Sequence, residues 1–175
     1  MRRTTGFTSA LVMALIVCVT AVAGLAAPAG APARTGLTVL ERDVLACVNA
    51  ERVERGLAPM RPQADLMGAA RAHSRSMAQR SFFSHDSSNG ASFGLRLLGH
   101  GYRRDGYSGW SAGENIASAR VGTVAATPQG VVLLWMQSAA HRRVILSGAF
   151  RDAGIGIHRA SATRYFTLDL GRRRR

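Results

Sequence analysis

The chain has 175 residues, of which 47% are hydrophobic and 19% charged. This length is enough for one domain with a hydrophobic core and too short for two. The formal net charge is +13 and the sequence contains no lysine, so arginines give the chain an attraction to anions such as wall polymers or lipid headgroups. Nucleic acid binding is disfavoured, because the arginines are scattered and form no basic stripe with interleaved aromatic residues.

The first 29 residues have the pattern of a signal peptide. Arg2 and Arg3 form a short basic start, residues 7–23 carry no charge, and small residues and prolines follow. This order predicts a signal peptide at residues 1–29 and a linker at residues 30–38. An uncleaved anchor is the alternative, but the apolar stretch is marginal for a span. We therefore expect a secreted, extracellular protein with no stable membrane span in its mature chain.

Removal of the leader would leave a single cysteine. Cys18 lies in the leader, and Cys47 lies in a helical pattern of apolar residues. The mature domain then has no internal disulfide. A buried, unreactive thiol is the interpretation that this pattern favours for Cys47.

The middle of the chain is predicted to be helical. Apolar residues recur at helical spacing over residues 37–53 and again over residues 65–80. A short helix is expected at residues 93–98, followed by an irregular segment at residues 102–112. A further helix is expected to begin at Thr127, since a capping hydroxyl is followed there by proline at the first helical position. That helix runs towards Leu146, with a break near Ala139.

Strands are predicted late in the chain. Residues 153–159 and 165–170 have strand composition, and two isoleucines alternate with glycines in the first, as in a half-buried strand. Helices first and strands late predict an α+β layered domain at residues 39–171. Residues 172–175 are four arginines, predicted to form a basic tail.

Six short motifs together resemble the CAP superfamily of cysteine-rich secretory proteins, in its bacterial, disulfide-free branch. Each motif alone is weak, but six in the family's order are specific. The resemblance implies an α-β-α sandwich with a small antiparallel sheet between helical layers. The motifs are Val48-Asn49-Ala50-Glu51-Arg52, Ala72-His73-Ser74 with Phe83-Ser84-His85, Gly113-Glu114-Asn115-Ile116-Ala117, Trp135-Met136-Gln137-Ser138 with His141-Arg142, Gly154-Ile155-Gly156, and Tyr165-Phe166-Thr167 with Gly171.

The same resemblance implies a candidate pocket. Larger members of the family carry two histidines and two acidic residues there, and His85 and Glu114 match the first histidine and the first acid. Ser138 and Tyr165 stand where the second acid and second histidine are expected. The bacterial branch has a histidine at the position of His141. The predicted pocket is therefore a partial set of His85, Glu114 and His141.

These three residues allow two kinds of chemistry and a structural alternative. Two imidazoles and a carboxylate can hold zinc and leave a position open for water, so His85 and His141 are the candidate metal ligands. Without a metal, Glu114 can orient a histidine as a general base. Alternatively, Glu114 ties down a loop through backbone hydrogen bonds and His141 is a structural residue at a helix end.

Two further features of the sequence are weaker indications of a site. Ser138 and His141 are three residues apart and can share a helix face, but no orienting group or oxyanion hole accompanies them. Tyr102, Tyr107 and Trp110 either rim a binding groove or anchor a loop.

Two functions remain from the sequence. The first is a secreted binding or interaction protein that acts at the cell surface, on lipid, cell-wall polymer or another anionic ligand. The second is a metal-assisted hydrolase or protease that uses the His/Glu pocket. The incomplete set of pocket residues favours the binding protein.

Overall fold

The structure is a computed structural model that describes residues 36–175. The predicted signal peptide lies outside the described residues, as does the linker up to residue 35. Among residues 36–175, no helix is long and apolar enough to cross a membrane.

The described part of the chain contains five α-helices and one turn of 3₁₀-helix. The helices flank a four-stranded sheet, which confirms the predicted α+β class and the layered arrangement. In chain order the helices are α1 (Val39–Glu54), α2 (Ala64–Arg80), α3 (Phe93–Gly99), the 3₁₀-helix (Val124–Ala126), α4 (Pro128–Gln137) and α5 (Ala139–Ile145).

The sheet is mixed, whereas the resemblance implied an antiparallel one. Its strands are β1 (Arg61–Pro62), β2 (Gly109–Arg120), β3 (Asp152–Ala160) and β4 (Thr163–Arg174), in the spatial order β1-β3-β4-β2. The three long strands are antiparallel, and the short β1 pairs in parallel with β3. This added pair is only two residues long, too short for an alternation signal in the sequence.

Local signals set the helix ends where the sequence placed them. Thr127 caps α4 by accepting a hydrogen bond from the Gly130 N–H at 3.1 Å, and proline follows it. The predicted break near Ala139 is confirmed, since Ser138 ends α4 and begins α5 with an extended backbone. At α1, Thr38 and Glu41 form a reciprocal capping box.

The glycines of β3 are buried, and the prediction of a half-buried strand was wrong on this point. A Cβ added at Gly154 would lie 2.1 Å from the Leu66 carbonyl carbon, and one at Gly156 would lie 2.0 Å from the Ala70 carbonyl oxygen. Helix α2 therefore packs directly on the backbone of β3. Glycine is required here because any side chain would push the helix off the sheet.

Two further boundaries differ from the sequence prediction. The segment expected to be irregular up to residue 112 forms the start of β2, from Gly109 onwards. The arginine run that was predicted to be a tail belongs to β4 as far as Arg174. The start of β2 pairs with the end of β4, since Gly109 lies opposite Arg174. Small and charged residues have low strand propensity, and only the ladder between distant segments makes them strands.

The motif around Arg52 is structural. Arg52 is fully buried and donates to the carbonyl oxygens of Ala58, Ile145, Ser147 and Phe150. The end of α1 is thereby tied to the segment after α5. Burial lowers the pKa of Arg52, with a smaller contribution from the charge of Arg151.

Candidate functional site

The candidate site lies where the loop after α2 meets the edge strand β2. Helix α2 stops at Ser81, which has a left-handed backbone with φ of 53°. The chain then runs through Phe82 to His85 before α3 begins at Phe93. Glu114 projects from β2, the edge strand of the sheet.

The structure brings His85 and Glu114 into direct contact. The Nδ1 of His85 lies 2.8 Å from Oε1 of Glu114. The imidazole is half-exposed, whereas the carboxylate side chain is only 1% exposed. A buried carboxylate thus holds an accessible imidazole, with Nδ1–H donating to the carboxylate and Nε2 left for another partner.

Arg96 of α3 completes the contacts of this carboxylate. Its Nη2 donates to Oε2 of Glu114, and its Nη1 donates to the His85 carbonyl oxygen at 3.1 Å and to Ser87 Oγ at 3.0 Å. Arg96 therefore holds both members of the pair, the carboxylate by its side chain and the histidine by its backbone. Charge-assisted contacts of this kind are among the stronger hydrogen bonds in proteins.

The ionisation of the pair follows from these contacts. Burial disfavours the charged form of Glu114, but the hydrogen bond from His85 and the charge of Arg96 prevail and lower the pKa of Glu114. The hydrogen bond to Glu114 raises the pKa of His85, against the opposing effect of burial. The site thus favours a carboxylate beside an imidazolium.

Asp169 of β4 is a second buried carboxyl group beside Glu114. The two residues lie opposite each other in the β2–β4 ladder, and Asp169 is fully buried. Burial, together with the negative charge of Glu114, raises the pKa of Asp169 well above its usual range. Of the two carboxyl groups, Glu114 therefore favours the charged form and Asp169 the protonated form.

His73 orders the backbone just before His85. Its Nε2 lies 2.8 Å from the Ser84 carbonyl oxygen, so Nε2 carries the proton and donates it. Its ring meets Phe82 edge to face, with centroids 6.0 Å apart. Burial is the main cause that lowers the pKa of His73, followed by the charge of Arg96. The lowered pKa favours the neutral ring, and these contacts give His73 a structural role.

His141 feels the charge of His85, but its side chain forms no hydrogen bond with His85 or Glu114 within residues 36–175. Its backbone oxygen accepts a hydrogen bond from Asn115 Nδ2 at 3.0 Å, so α5 is fastened to β2. Its Nδ1 is buried and has no hydrogen-bond partner among residues 36–175. Burial, and then the charge of His85, lowers the pKa of His141.

The predicted zinc ligands do not fit a zinc ion as they are arranged. Within the described chain, no group of three or more His, Cys, Asp and Glu side chains is placed to hold a metal. The one carboxylate beside His85 already carries the guanidinium of Arg96, which opposes a second cation at that position. We therefore derive no step through a metal, and this arrangement disfavours the zinc site that the resemblance implies.

The aromatic residues that follow α3 anchor their segment. Tyr102 is fully buried, meets Trp110 edge to face at 6.0 Å and lies under the guanidinium of Arg173 at 4.7 Å. The same guanidinium lies 5.0 Å from the Tyr107 ring. Of the two interpretations left open for these aromatics, the contacts support loop anchoring.

Sequence reasoning missed Arg96 and Asp169. A signal for each was present, since Arg96 interrupts an apolar run in a short helix and Asp169 stands between two leucines in a strand. A charged residue in a buried pattern has a partner. The sequence does not say which partner, because Glu114 is distant from both along the chain.

The comparisons with known proteins agree with this fold. The model of the cysteine-rich secretory protein family matches residues 45–170. The Bacillus subtilis protein YkwD is 34% identical over 126 residues, which cover 71% of this chain and 44% of YkwD. The chain thus spans less than half the length of this relative.

Two solved structures extend the comparison. An extracellular protein of Bacillus anthracis with an SCP domain is 26% identical, with a TM-score of 0.59 over 77% of this chain and 40% of that one. An outer surface protein of Borrelia burgdorferi shares the fold at 16% identity, with a TM-score of 0.64 over 78% of this chain and 97% of that one. The family model covers most of the chain, and the fold and motifs agree with it, so the chain belongs to the cysteine-rich secretory protein (CAP) family.

Proposed function

We propose that this chain is an exported binding protein that acts at the cell surface, on lipid or cell-wall material, with His85 as a contact group. Relatives described as extracellular or outer surface proteins support the location. The formal charge of +13 supports an anionic ligand.

The observation that carries the proposal is the way Glu114 is used. Both of its oxygens are engaged, one by His85 and one by Arg96. The carboxylate therefore fixes a half-exposed imidazole and favours its charged form. A charged imidazole donates a hydrogen bond to an acceptor or anion and is a poor base.

Binding to insoluble material tests this proposal. Purified protein would be sedimented with cell-wall sacculi and, separately, with vesicles of phosphatidylglycerol. His85→Gln should weaken binding to one of the two by about tenfold, since a charge-assisted hydrogen bond is lost. His158→Gln is the matched control, because this half-buried histidine lies on β3, outside the site. Equal binding by all three proteins would exclude His85 as a contact group.

A hydrolase is the second candidate, and the His85–Glu114 pair itself favours it. A buried carboxylate that orients an accessible imidazole is the arrangement of a general base. No side-chain hydroxyl or thiol in the described chain is hydrogen-bonded to the imidazole, so the nucleophile would be water. Nothing in this version requires a metal.

Glu114→Gln separates the two functions. The amide keeps the shape of the side chain but loses the charge that supports the imidazole. If the native protein cleaves wall peptides and folded Glu114→Gln protein does not, the hydrolase replaces the binding protein. If neither cleaves them and the native protein sediments with its target, the binding function stands.

A further inference from the structure

A cavity of ≈ 420 Å³ lies between α2 and α3, and Ser87, Ser88, Asn89 and Ala91 of the loop between these helices also line it. Arg96 lines this cavity, but neither His85 nor Glu114 does. The cavity is therefore separate from the imidazole on which the proposed function rests, although one arginine contributes to both. Its volume falls in the range of small-molecule sites.

The cavity is positively charged. No aspartate or glutamate is among its lining residues, whereas Arg80 and Arg96 both are. Glu114 balances the charge of Arg96. Arg80 is exposed, and its side chain forms no ion pair or hydrogen bond with any residue between 36 and 175. An unbalanced guanidinium at the mouth of a cavity without acids attracts an anion.

Two residues that line the cavity also carry polar atoms without partners. Arg96 Nε and His73 Nδ1 are buried and have no hydrogen-bond partner in the described chain, and the Arg96 side chain as a whole is only 6% exposed. Most buried polar groups in native proteins are paired. A polar occupant of the cavity would lie beside both side chains.

Hydroxyl and amide side chains from α2 and from the loop also line the cavity. Ser76 Oγ of α2 lies 3.4 Å from Ser88 Oγ of the loop. Asn89 Oδ1 accepts from the Ala91 N–H at 3.1 Å, which leaves its side-chain amide free to donate. The Ser87 N–H donates to the Ala91 carbonyl oxygen at 2.8 Å, so the loop is held in shape before any ligand arrives.

We propose that this cavity binds a phosphate group carried on a small polyol or sugar. Donors on both walls, from Ser76 and Arg80 on α2 and Asn89 on the loop, suit a group with several acceptor oxygens pointing in different directions. The space exceeds what phosphate alone needs, and the remaining room takes the carrier. Such a group occurs in phosphate-containing wall polymers and in lipid headgroups.

Glycerol phosphate is the probe that tests the site, titrated into the purified protein by calorimetry and followed by amide NMR shifts. The amides of residues 87–91 should shift on binding. Arg80→Gln should weaken binding about tenfold or more, because it removes the unbalanced charge. The matched control is Arg75→Gln, which changes an exposed arginine of the same helix that does not line the cavity.

The two arginine variants distinguish a specific site from a general effect of charge. Selective loss in Arg80→Gln supports the site. Equal loss in both variants would mean that net charge alone attracts the probe, and no binding of glycerol phosphate would equally overturn the proposal. Vesicles of phosphatidylglycerol identify the source. Arg80-dependent binding to vesicles as well as to the soluble probe assigns a lipid headgroup, and binding to the soluble probe alone assigns a wall polymer or free phosphate ester.

Discussion

At the scale of single residues, one carboxylate organises the candidate site. Glu114 is nearly inaccessible to solvent and contacts His85 through one oxygen and Arg96 through the other. A buried charge is tolerated only when it is paired in this way. Removal of either partner leaves an uncompensated charge in the interior, so the three residues act as one unit.

Loss of the Glu114 charge should lower the pKa of His85. In the native protein the hydrogen bond to Glu114 is the main cause that raises it, so Glu114→Gln should return it to about 6.5 or below. An NMR titration of the His85 ring protons measures the change. Asp43→Asn, an exposed acid-to-amide change on α1, should leave the pKa of His85 unchanged. An unchanged pKa in Glu114→Gln would show that the contact is absent in solution.

The raised pKa of Asp169 has a consequence for stability. A carboxyl whose pKa is raised by folding stabilises the native state below its unfolded pKa, about 3.9 for aspartate. That contribution is lost as the pH rises through the folded pKa. Asp169 therefore opposes folding at neutral pH relative to a neutral side chain of the same shape.

The Asp169→Asn variant should gain stability relative to the native protein as the pH rises. Between about pH 4 and the folded pKa, the difference in unfolding free energy should grow by about 1.4 kcal/mol per pH unit. Denaturant unfolding of both proteins at several pH values measures this slope. Asp105→Asn, in an exposed loop, should show no such slope. A flat difference for Asp169→Asn would mean that Asp169 is ionised in the folded protein.

The sequence predicted half of this site. His85 and Glu114 were paired from the family motifs, and their contact is present. Arg96 and Asp169 were not found, because their roles depend on α3 and β4 arriving at the same carboxylate. A periodicity reports which face a residue occupies, not which distant charge it meets.

At the scale of elements, the contact between α2 and β3 determines where the site can form. Gly154 and Gly156 let α2 lie directly on the strand. The end of α2 then delivers the loop that carries His85 to the edge of the sheet. The sequence located both elements but interpreted the glycine face as solvent-exposed, since glycine carries no hydrophobic signal.

Gly154→Ala should destabilise the fold by at least about 2 kcal/mol, because its Cβ would overlap the backbone of α2. Urea unfolding monitored by circular dichroism measures the effect. Gly148→Ala is the control, since a Cβ there has no atom within 4 Å, and it should cost less than about 1 kcal/mol. Equal stability of the two variants would contradict the close packing of α2 on β3.

Strand β2 shows where local pattern fails. Residues 109–113 are small except for Trp110, and they predict a loop. In the structure they pair with Leu170–Arg174 at the end of β4. This pairing joins segments far apart in the chain, so only the assembled sheet makes either segment a strand.

At the scale of the whole molecule, the large positive charge has more than one use. Arg52 donates to backbone carbonyls, Arg71 to Glu41 and Arg96 to Glu114. Arg173 lies over two tyrosine rings. The formal charge of +13 therefore overstates what is free to attract a partner, and local cavities such as the one beside Arg80 are better guides to binding.

We expect Glu114 to serve its protein partners, His85 and Arg96, and not a metal. Calorimetric titration of zinc into the purified protein, beside the His85→Ala, His141→Ala double variant, is the decisive experiment. The native protein should show no tight, saturable zinc binding and should not differ from the double variant. One zinc bound tightly by the native protein and lost in the folded variant would overturn this expectation and restore a metal-assisted hydrolase.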